Sequence, residues 1–392
     1  MSARLPLYAV VAPGLEPFAV RELVALGLPP THHESGGLAF EGTVRDMIRA
    51  NLWLRTASRV LLRLGEFHAR ALGELERKAG LLAWREWLAP GTPLLVRATC
   101  RKSRLYHQRA VAERILAAAA APGAVAGDDA SEESTAGQRV VVRLYRDQCL
   151  ISLDSSGPLL HRRGYRLASG KAPLRETLAA ALLAASGWDP GTPLIDPFAG
   201  SGTIPIEAAL LARRIPPGLR RDFGFETWSG LDPALLPALR AEAEAEMLTR
   251  APAAIVAADR DAGVVASARE NAERAGVAED IEFREQAISH LRPPAAVGTL
   301  VANPPFGVRV SGGKPLRDLF ARLGQVARDR LPGWCMTLLL PADPLERATG
   351  LRFQESFRSQ SGGLRVRALS TLIPSARQPA GPRSIDHPGP PS

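Results

Sequence analysis

The first part of the chain alternates between short apolar runs and segments with helical spacing. The patterns predict strands over Leu7–Ala12, Gly36–Phe40 and Val60–Leu64, with helices over Glu16–Leu26 and Val44–Leu54 between them. A strand–helix–strand–helix–strand order is typical of an α+β module of ferredoxin-like character. We therefore predict a ferredoxin-like N-terminal domain over residues 1–66.

A second α+β module is predicted over residues 67–156. Its patterns predict helices over Leu72–Leu82 and Tyr106–Ala120, and strands over Pro93–Cys100, Val140–Tyr145 and Cys149–Asp154. Residues 121–138 are rich in Ala, Gly, Asp, Ser and Glu and contain no aromatic side chain. This composition is typical of a flexible loop rather than of a packed element.

From about residue 160 the pattern changes to apolar strands separated by helices. The strand signals lie at Leu194–Ile195, Ile255–Ala258, Thr299–Ala302 and Met336–Leu340. This alternation predicts a parallel, doubly wound α/β sheet, which we place over residues 157–374. The Pro- and Gly-rich residues 375–392 are predicted to form a disordered tail.

Composition and charge narrow the class of protein. The 392 residues are 46% hydrophobic and carry a formal net charge of +9, which favours a polyanionic partner such as nucleic acid. Cys100, Cys149 and Cys335 lie far apart, so neither a disulfide framework nor a zinc site is indicated. No apolar stretch approaches the roughly 20 residues that span a bilayer. We expect a cytoplasmic protein without a metal, a membrane association or an obligate protein partner.

A glycine-containing turn follows the first apolar strand of the α/β region. The segment reads Asp196-Pro197-Phe198-Ala199-Gly200-Ser201-Gly202-Thr203 and leads into a helix. Glycines at such a turn let the backbone approach a ligand closely. No lysine follows Gly202, so a triphosphate-binding loop is disfavoured. The carboxylate of Asp196 suits a cationic ligand, such as the sulfonium and ammonium groups of S-adenosylmethionine (SAM).

An acidic residue also ends the second apolar strand. Asp259 stands where an acid commonly binds ribose hydroxyls, and the insertion Arg213–Arg250 explains its long separation from Asp196. Asp261 is predicted instead to cap the helix over Val264–Ala275.

The third apolar strand is followed by the loop Asn303-Pro304-Pro305-Phe306-Gly307. An exocyclic base amine is a poor nucleophile, because its lone pair is delocalised into the ring. The amide oxygen of Asn303 and the carbonyl of Pro304 can accept its N–H bonds and stabilise the positive charge that develops on nitrogen. Prolines stiffen the loop, and Phe306 can stack on a base. No cysteine lies in or near this loop, so a C5-pyrimidine methyltransferase is disfavoured.

Asp196–Thr203 together with Asn303–Gly307 resembles the class I SAM-dependent methyltransferases that act on amino groups. Residues 160–166 (LHRRGYR) and 171–179 (KAPLRETLA) resemble, more specifically, the THUMP-domain RNA guanine-N2 methyltransferases, which include the rRNA enzyme RlmL and related tRNA enzymes. Residues 51–60 and 101–107 match the N-terminal domains of that family. The resemblance covers about residues 5–374. It implies a Rossmann-like class I methyltransferase domain preceded by ferredoxin-like and THUMP domains.

The resemblance also implies a role for each motif. The catalytic residues would be Asn303, Pro304, Pro305 and Phe306. The cofactor-binding residues would be Pro173, Thr177, Asp196, Phe198, Gly200, Gly202, Thr203, Asp259, Gln286 and Ala287. The family usually places an Asp-Ala pair where this chain has Gln286-Ala287, after the strand Ile281–Arg284. A glutamine oxygen can still accept a hydrogen bond from the adenine amine, without a charge.

Basic residues mark the predicted RNA-binding surface. Residues 1–120 contain 17 Arg and Lys against 10 Asp and Glu, and no acid occurs between Glu86 and Glu113. The candidate RNA-binding residues in this stretch are Arg101, Lys102, Arg104, Tyr106 and Arg109. A second acid-free run contains Arg162, Arg163, Arg166 and Lys171. For Phe223, Phe225 and Trp228 in the insertion, packing and substrate contact remain equally open.

The favoured function is N2-methylation of a guanine in RNA. We favour 23S rRNA over tRNA, because residues 160–166 and 171–174 lie nearer to the rRNA branch of the family. A DNA adenine-N6 methyltransferase shares the same tetrapeptide, but the THUMP-like half argues against it. A catalytically silent RNA-binding protein is disfavoured by the intact Asp196, Gly200, Gly202 and Asn303.

Overall fold

The structure is a computed structural model that describes residues 3–120, 123–125, 137–166, 174–306 and 313–375. For 123–125 and 313–315 only the backbone is described. Most of the predicted loop 121–138 and of the predicted tail lies outside the described residues, as do Pro173, Lys171 and Gly307.

An eight-stranded sheet contains the N-terminal strands. These are β1 (Leu5–Val11), β2 (His32–Glu34), β3 (Gly37–Gly42), β4 (Ala57–His68), β5 (Leu94–Arg101), β6 (Gly123–Val125), β7 (Gln138–Tyr145) and β8 (Gln148–Asp154). Its helices are α1 (Glu16–Ala25), α2 (Val44–Trp53), α3 (Leu72–Ala79), α4 (Trp84–Trp87) and α5 (Gln108–Ala118). The strand order is β2-β3-β1-β4-β8-β7-β5-β6.

The long strand β4 joins the two predicted N-terminal modules. It pairs antiparallel with β1 on one side and with β8 on the other. The strands of both modules therefore form one continuous sheet. The boundary predicted at residue 66 falls inside β4 and stays a prediction.

The second sheet contains seven strands. These are β9 (Leu194–Asp196), β10 (Ile255–Asp259), β11 (Ile281–Glu285), β12 (Thr299–Ala302), β13 (Cys335–Pro341), β14 (Gln354–Ser361) and β15 (Leu364–Leu372), in the order β11-β10-β9-β12-β13-β15-β14. Its helices are α6 (Glu176–Ser186), α7 (Thr203–Ala212), α8 (Leu235–Ala245), α9 (Ala262–Ala275) and α10 (Gly313–Arg330).

The first five strands of this order are parallel, as the sequence predicts. The strand β15 lies outside the four predicted strands and pairs antiparallel with both β13 and β14, so the sheet is mixed at this edge. Every residue of β9 and β12 is buried. Strands buried on both faces read as continuous apolar runs, which is why these central strands are recognisable in the sequence.

The insertion before α8 packs against the first half of the chain. Phe223, Phe225 and Trp228 are all buried, and the two phenylalanine rings stack at 5.1 Å. The indole nitrogen of Trp228 donates to the side-chain oxygen of Gln138 at 2.7 Å. The sequence left packing and substrate contact equally open for these three aromatic residues, and in the structure they pack in the interior.

In the ranges that the structure describes, no helix is long and apolar enough to cross a membrane.

Candidate functional site

Four adjacent parallel strands of the second sheet end at one edge, and each is followed or ended by a polar residue. Asp196 ends β9 and Asp259 ends β10, while Gln286 follows β11 and Asn303 follows β12. In the parallel pairing of β9 with β10, Asp196 lies opposite Ala257. In the pairing of β9 with β12, Ile195 lies opposite Leu300. Ligands of open α/β sheets bind at the carboxyl ends of the strands. The structure therefore brings these four predicted site residues to one edge.

The turn after β9 has the backbone that its glycines permit. Gly200 and Gly202 have φ angles of +53° and +84°, in the left-handed region that favours glycine. A Cβ on Gly202 would stand 3.0 Å from the Cβ of Ala268, so α9 packs directly against the turn. The side-chain amide of Asn271, also on α9, donates to the carbonyl of Ser201 at 2.9 Å. The turn is thus held in place before any ligand binds.

The carboxyl group of Asp196 is 1% exposed and accepts a hydrogen bond from the backbone N–H of Phe198 at 3.0 Å. Burial, together with the nearby negative charge of Asp259, raises the pKa of Asp196 to about 8. A buried carboxylate without a cation beside it is unfavourable. This environment favours a positively charged ligand at the end of β9.

Asp259 is half-buried and ties the turn to β10. One carboxylate oxygen accepts the N–H of Gly200 at 3.1 Å, and the other accepts the N–H of Asp261 at 3.2 Å. Each carboxylate oxygen has two lone pairs, so both can still accept a ligand hydroxyl. Asp261 accepts the N–H groups of Gly263 and Val264, which confirms it as the cap of α9.

Two buried side-chain oxygens at this edge accept no hydrogen bond from any described residue. They are Oε1 of Gln286 and Oδ1 of Asn303. The amide nitrogen of Gln286 donates to the carbonyl of His290 at 2.8 Å, which fixes the orientation of that side chain. A buried acceptor without a donor is destabilising, so both oxygens favour a ligand with N–H groups. An adenine amine and a base amine supply such donors, and the residues therefore fit SAM and a nucleobase.

The other predicted residues surround this edge. Thr177 is buried on α6, and Thr203 begins α7. Phe198 is half-buried beside the core, and Ala287 directly precedes a short 3₁₀ helix, Ile288–His290. In the Asn303 loop, Pro304 is buried, Pro305 is exposed and Phe306 is half-buried against the core.

The predicted RNA-binding residues lie at the end of β5, on the connection to α5 and in the first turn of α5. Arg101 ends β5, and Lys102 follows with a φ angle of +52°. The backbone N–H of Arg104 donates to Asp147 at 2.7 Å, which fixes the loop. Tyr106 is 67% exposed. Arg109 is exposed and forms an ion pair with Glu113 at 3.0 Å.

The second basic run has a different environment from the first. Arg163 is buried and forms an ion pair with Glu207 at 3.4 Å. Arg166 forms an ion pair with the buried Glu176 at 3.3 Å. The interpretation of this basic run as part of an RNA-binding surface is wrong for Arg163 and Arg166, because each forms an ion pair with a buried glutamate. A signal for these pairs was present in the sequence, because Glu176 and Glu207 belong to the otherwise apolar helices α6 and α7. Both helices are buried along almost their whole length, and a buried acid usually requires a basic partner.

Within the described ranges, no group of three His, Cys, Asp or Glu side chains is arranged to hold a metal ion.

Comparison with known proteins gives the following similarities. Residues 163–367 match a family model described as an RMKL-like methyltransferase domain, and residues 6–61 match an RlmL ferredoxin-like domain. The chain is 37% identical, over 88% of its length and 90% of the relative, to "Putative RNA methyltransferase YpsC" of Bacillus subtilis.

Solved structures agree with these matches. A structure described as "SMU.472, a putative methyltransferase complexed with SAH" superposes with a TM-score of 0.85 at 29% identity, over 97% of this chain and all of that one. A predicted N6-adenine-specific DNA methylase from Listeria monocytogenes superposes with a TM-score of 0.82 at 32% identity, over 93% and 96% of the two chains. The predictions of a ferredoxin-like N-terminal fold and of a Rossmann-like class I methyltransferase fold are confirmed.

Proposed function

Because this chain belongs to the RMKL-like methyltransferase family, we propose that it methylates the exocyclic N2 amine of a guanine in RNA. SAM is the methyl donor, and it supplies a methyl group on a positively charged sulfonium. The proposal rests chiefly on the buried Oδ1 of Asn303, which accepts no hydrogen bond from the described residues at the end of β12. The strand β12 lies beside β9, which ends in the buried Asp196.

We propose that the Asn303 loop orients the amine. The side-chain oxygen of Asn303 and the carbonyl of Pro304 accept its two N–H bonds and leave the nitrogen lone pair directed at the methyl group. A bond from nitrogen to the methyl carbon then forms as the sulfur–carbon bond breaks. The same two oxygens stabilise the positive charge on nitrogen. The methylated nitrogen is acidic and loses a proton to water, so this loop needs no strong base.

RNA as the substrate is supported by two observations. The relative from Bacillus subtilis carries the name of an RNA methyltransferase. The connection between β5 and α5 presents exposed cationic and aromatic side chains, a combination that suits RNA phosphates and bases. We propose 23S rRNA rather than tRNA, because the similarity of residues 160–166 is greater to the rRNA branch. We also propose a cytoplasmic location, where this RNA and free cysteines occur together.

Methylation of purified nucleic acids tests this proposal. The protein is incubated with methyl-labelled SAM and, separately, with rRNA and tRNA from a deletion strain and with unmethylated DNA. We expect label in rRNA, recovered as N2-methylguanosine, and none with Asn303→Ala. Label in tRNA alone would contradict the choice of rRNA. Replacement of Arg101, Lys102 and Arg104 by Gln should raise the KM for RNA and leave SAM affinity unchanged.

A DNA adenine-N6 methyltransferase is the second candidate. The structure from Listeria monocytogenes is described as such an enzyme, and an adenine N6 amine has the same two N–H groups that Asn303 would accept. The DNA arm of the same experiment separates the two candidates. Label recovered as N6-methyladenine in DNA, with none in RNA, would replace the proposal made here.

A further inference from the structure

The peptide group between Ser201 and Gly202 lies in the glycine turn and is anchored at both of its polar atoms. The N–H of Gly202 donates to the carbonyl of Ala199 at 2.8 Å. The carbonyl of Ser201 accepts from the side-chain amide of Asn271 at 2.9 Å, and Asn271 is 5% exposed on α9. The two anchors together fix the orientation of this peptide group.

This orientation needs support because glycine does not select it alone. Gly202 has a φ angle of +84°, but glycine adopts positive and negative φ angles about equally readily. The peptide group between Ser201 and Gly202 could therefore reorient at low cost. Such a change would break the bond to Ala199 and alter the course of the chain into α7. The hydrogen bond from Asn271 to Ser201 opposes it.

Arg274, also on α9, determines which end of the Asn271 amide faces the turn. A terminal guanidinium nitrogen of Arg274 donates to Oδ1 of Asn271 at 2.5 Å. The two ends of an amide have nearly the same shape, but only the nitrogen end can donate. A donor at Oδ1 therefore leaves Nδ2 for the carbonyl of Ser201. In the reversed orientation, two oxygen acceptors would face each other.

A buried residue holds the Arg274 guanidinium in place. Nε of Arg274 donates to the carbonyl of Tyr165 at 2.8 Å. Tyr165 is 3% exposed, and its hydroxyl donates to the buried Glu207 of α7 at 3.3 Å. The glycine turn leads directly into α7. Arg274 is thus connected to the turn through Asn271 and to the following helix through Tyr165.

We propose that Arg274 is a positioning residue for the glycine turn and acts through Asn271. It holds the Asn271 amide with its nitrogen toward Ser201, and this orientation keeps the turn in the conformation that binds SAM. The inference rests on SAM as the cofactor and on the turn as part of its site. It does not depend on which base is methylated, so the absence of N2-methylguanosine would leave it intact.

An isosteric variant tests the hydrogen bond without creating a cavity. Asn271→Asp keeps the size of the side chain and its contact with Arg274, but a carboxylate has no N–H for the carbonyl of Ser201. We expect S-adenosylhomocysteine to bind about tenfold more weakly in calorimetry. Thermal melts of the ligand-free protein establish that the variant is folded. Wild-type affinity in Asn271→Asp would overturn the inference, whether or not variants of Arg274 fold.

A double-mutant cycle tests whether Arg274 acts through Asn271. Arg274→Met and Asn271→Ala should each weaken S-adenosylhomocysteine by about tenfold. The double variant should bind no more than about threefold more weakly than Asn271→Ala, because the second change removes a contact already lost. Independent structural contributions would multiply the two losses instead, and that result would overturn the inference.

The matched control is Arg269→Met. Arg269 lies on the same helix, α9, and its guanidinium stands 4.7 Å from the centre of the Phe283 ring. This variant loses an arginine of α9 and keeps the contacts of Arg274 and Asn271. Its affinity for S-adenosylhomocysteine should equal that of the wild type. A tenfold loss in this control would show that any arginine of α9 affects the site, and the role given to Arg274 would be wrong.

Discussion

Asn303 is the residue on which the proposed chemistry depends most. Replacement of Asn303 by Ala removes the buried oxygen that would accept an N–H bond of the target amine. We expect the rate of methyl transfer to fall by about 100-fold or more, because charge stabilisation in the transition state is lost. Affinity for S-adenosylhomocysteine should stay near that of the wild type. Single-turnover kinetics and calorimetry measure the two quantities, and Asn303→Asp, which keeps an oxygen acceptor, should retain part of the activity. A variant that loses cofactor affinity instead would contradict the role given to Asn303.

The ionisation of Asp196 gives a prediction on pH. Burial raises its folded-state pKa from 3.8 to about 8, so the folded protein binds this proton more tightly than the unfolded chain does. The stability that follows is fully present below the unfolded pKa, near pH 4, and is lost as the pH rises to about 8. Asp196→Asn should therefore raise the melting temperature of the ligand-free protein at pH 8.5 and change it little near pH 4. The same variant should bind SAM more weakly, because it cannot become anionic.

Thermal melts of both proteins from pH 4 to pH 9 measure this difference. Parallel curves across that range would show that Asp196 does not titrate with a raised pKa. Calorimetry in buffers of different ionisation enthalpy adds a second readout, since binding of a cationic ligand should release a proton near pH 7.

Strand-end residues such as Asp196, Asp259 and Asn303 could be predicted from the sequence, because an acid or amide directly after a buried strand is a local pattern. The pairing of Arg166 with Glu176 could not. An arginine in an acid-free run has the same sequence environment whether it is solvated or buried, and only tertiary contacts separate the two cases.

At the scale of elements, the glycine turn and α9 act as one unit. Gly202→Ala introduces a Cβ at 3.0 Å from the Cβ of Ala268, on a backbone with a φ angle of +84°. We expect the free energy of unfolding to fall by about 1–3 kcal/mol and the SAM affinity to fall as well, because the turn must shift.

The matched control is Gly187→Ala. Gly187 ends α6 with a φ angle of +66°, but a Cβ there meets no atom within 4 Å. This variant should lose about 1 kcal/mol of stability from backbone strain alone and keep its SAM affinity. Denaturant unfolding measures the stability of both variants, and calorimetry measures their SAM affinity. Equal SAM affinities for Gly202→Ala and Gly187→Ala would show that the turn does not bind the cofactor.

The elements recognised in the sequence are those with a strong local pattern. The all-buried strand β12 was predicted with its observed ends, Thr299–Ala302. The edge strand β14 has the mostly polar sequence QESFRSQS and gives no strand signal. β4 extends to His68, beyond the predicted Leu64, because the pairing with β8 continues through Gly65 and Glu66.

At the scale of the whole molecule, Arg221 connects the insertion Arg213–Arg250 to the segment that follows β8 of the first sheet. It is 8% exposed, and its guanidinium donates to the carbonyls of Ser156 at 3.0 Å, Leu159 at 2.7 Å and Pro158. These carbonyls follow β8 of the first sheet, whereas Arg221 belongs to the insertion of the second half. Arg221→Met should lower the free energy of unfolding by about 3 kcal/mol, because buried carbonyls lose their donor.

Calorimetric melting measures this effect. The control is Arg358→Met, because the Arg358 side chain is 79% exposed and, within the described ranges, forms an ion pair with Glu355 alone. This control should change the stability by no more than about 1 kcal/mol. A similar small effect for both variants would mean that the hydrogen bonds of Arg221 to the segment after β8 do not stabilise the fold.

The architecture of the whole molecule was the part least accessible from the sequence. The two predicted N-terminal modules share one sheet because β4 pairs with β8 across a long separation in the chain. The insertion was recognised only as an excess of residues between Asp196 and Asp259, and its buried aromatics form part of the connection between the halves. Both features depend on contacts between distant segments, which no local pattern encodes.

Nucleoside mass spectrometry of rRNA and tRNA from a strain that lacks this gene tests the central claim most directly. We expect N2-methylguanosine to decrease in 23S rRNA of this strain, and we expect the wild-type gene to restore it whereas the gene for Asn303→Ala does not. Unchanged N2-methylguanosine in both RNA pools would contradict the claim.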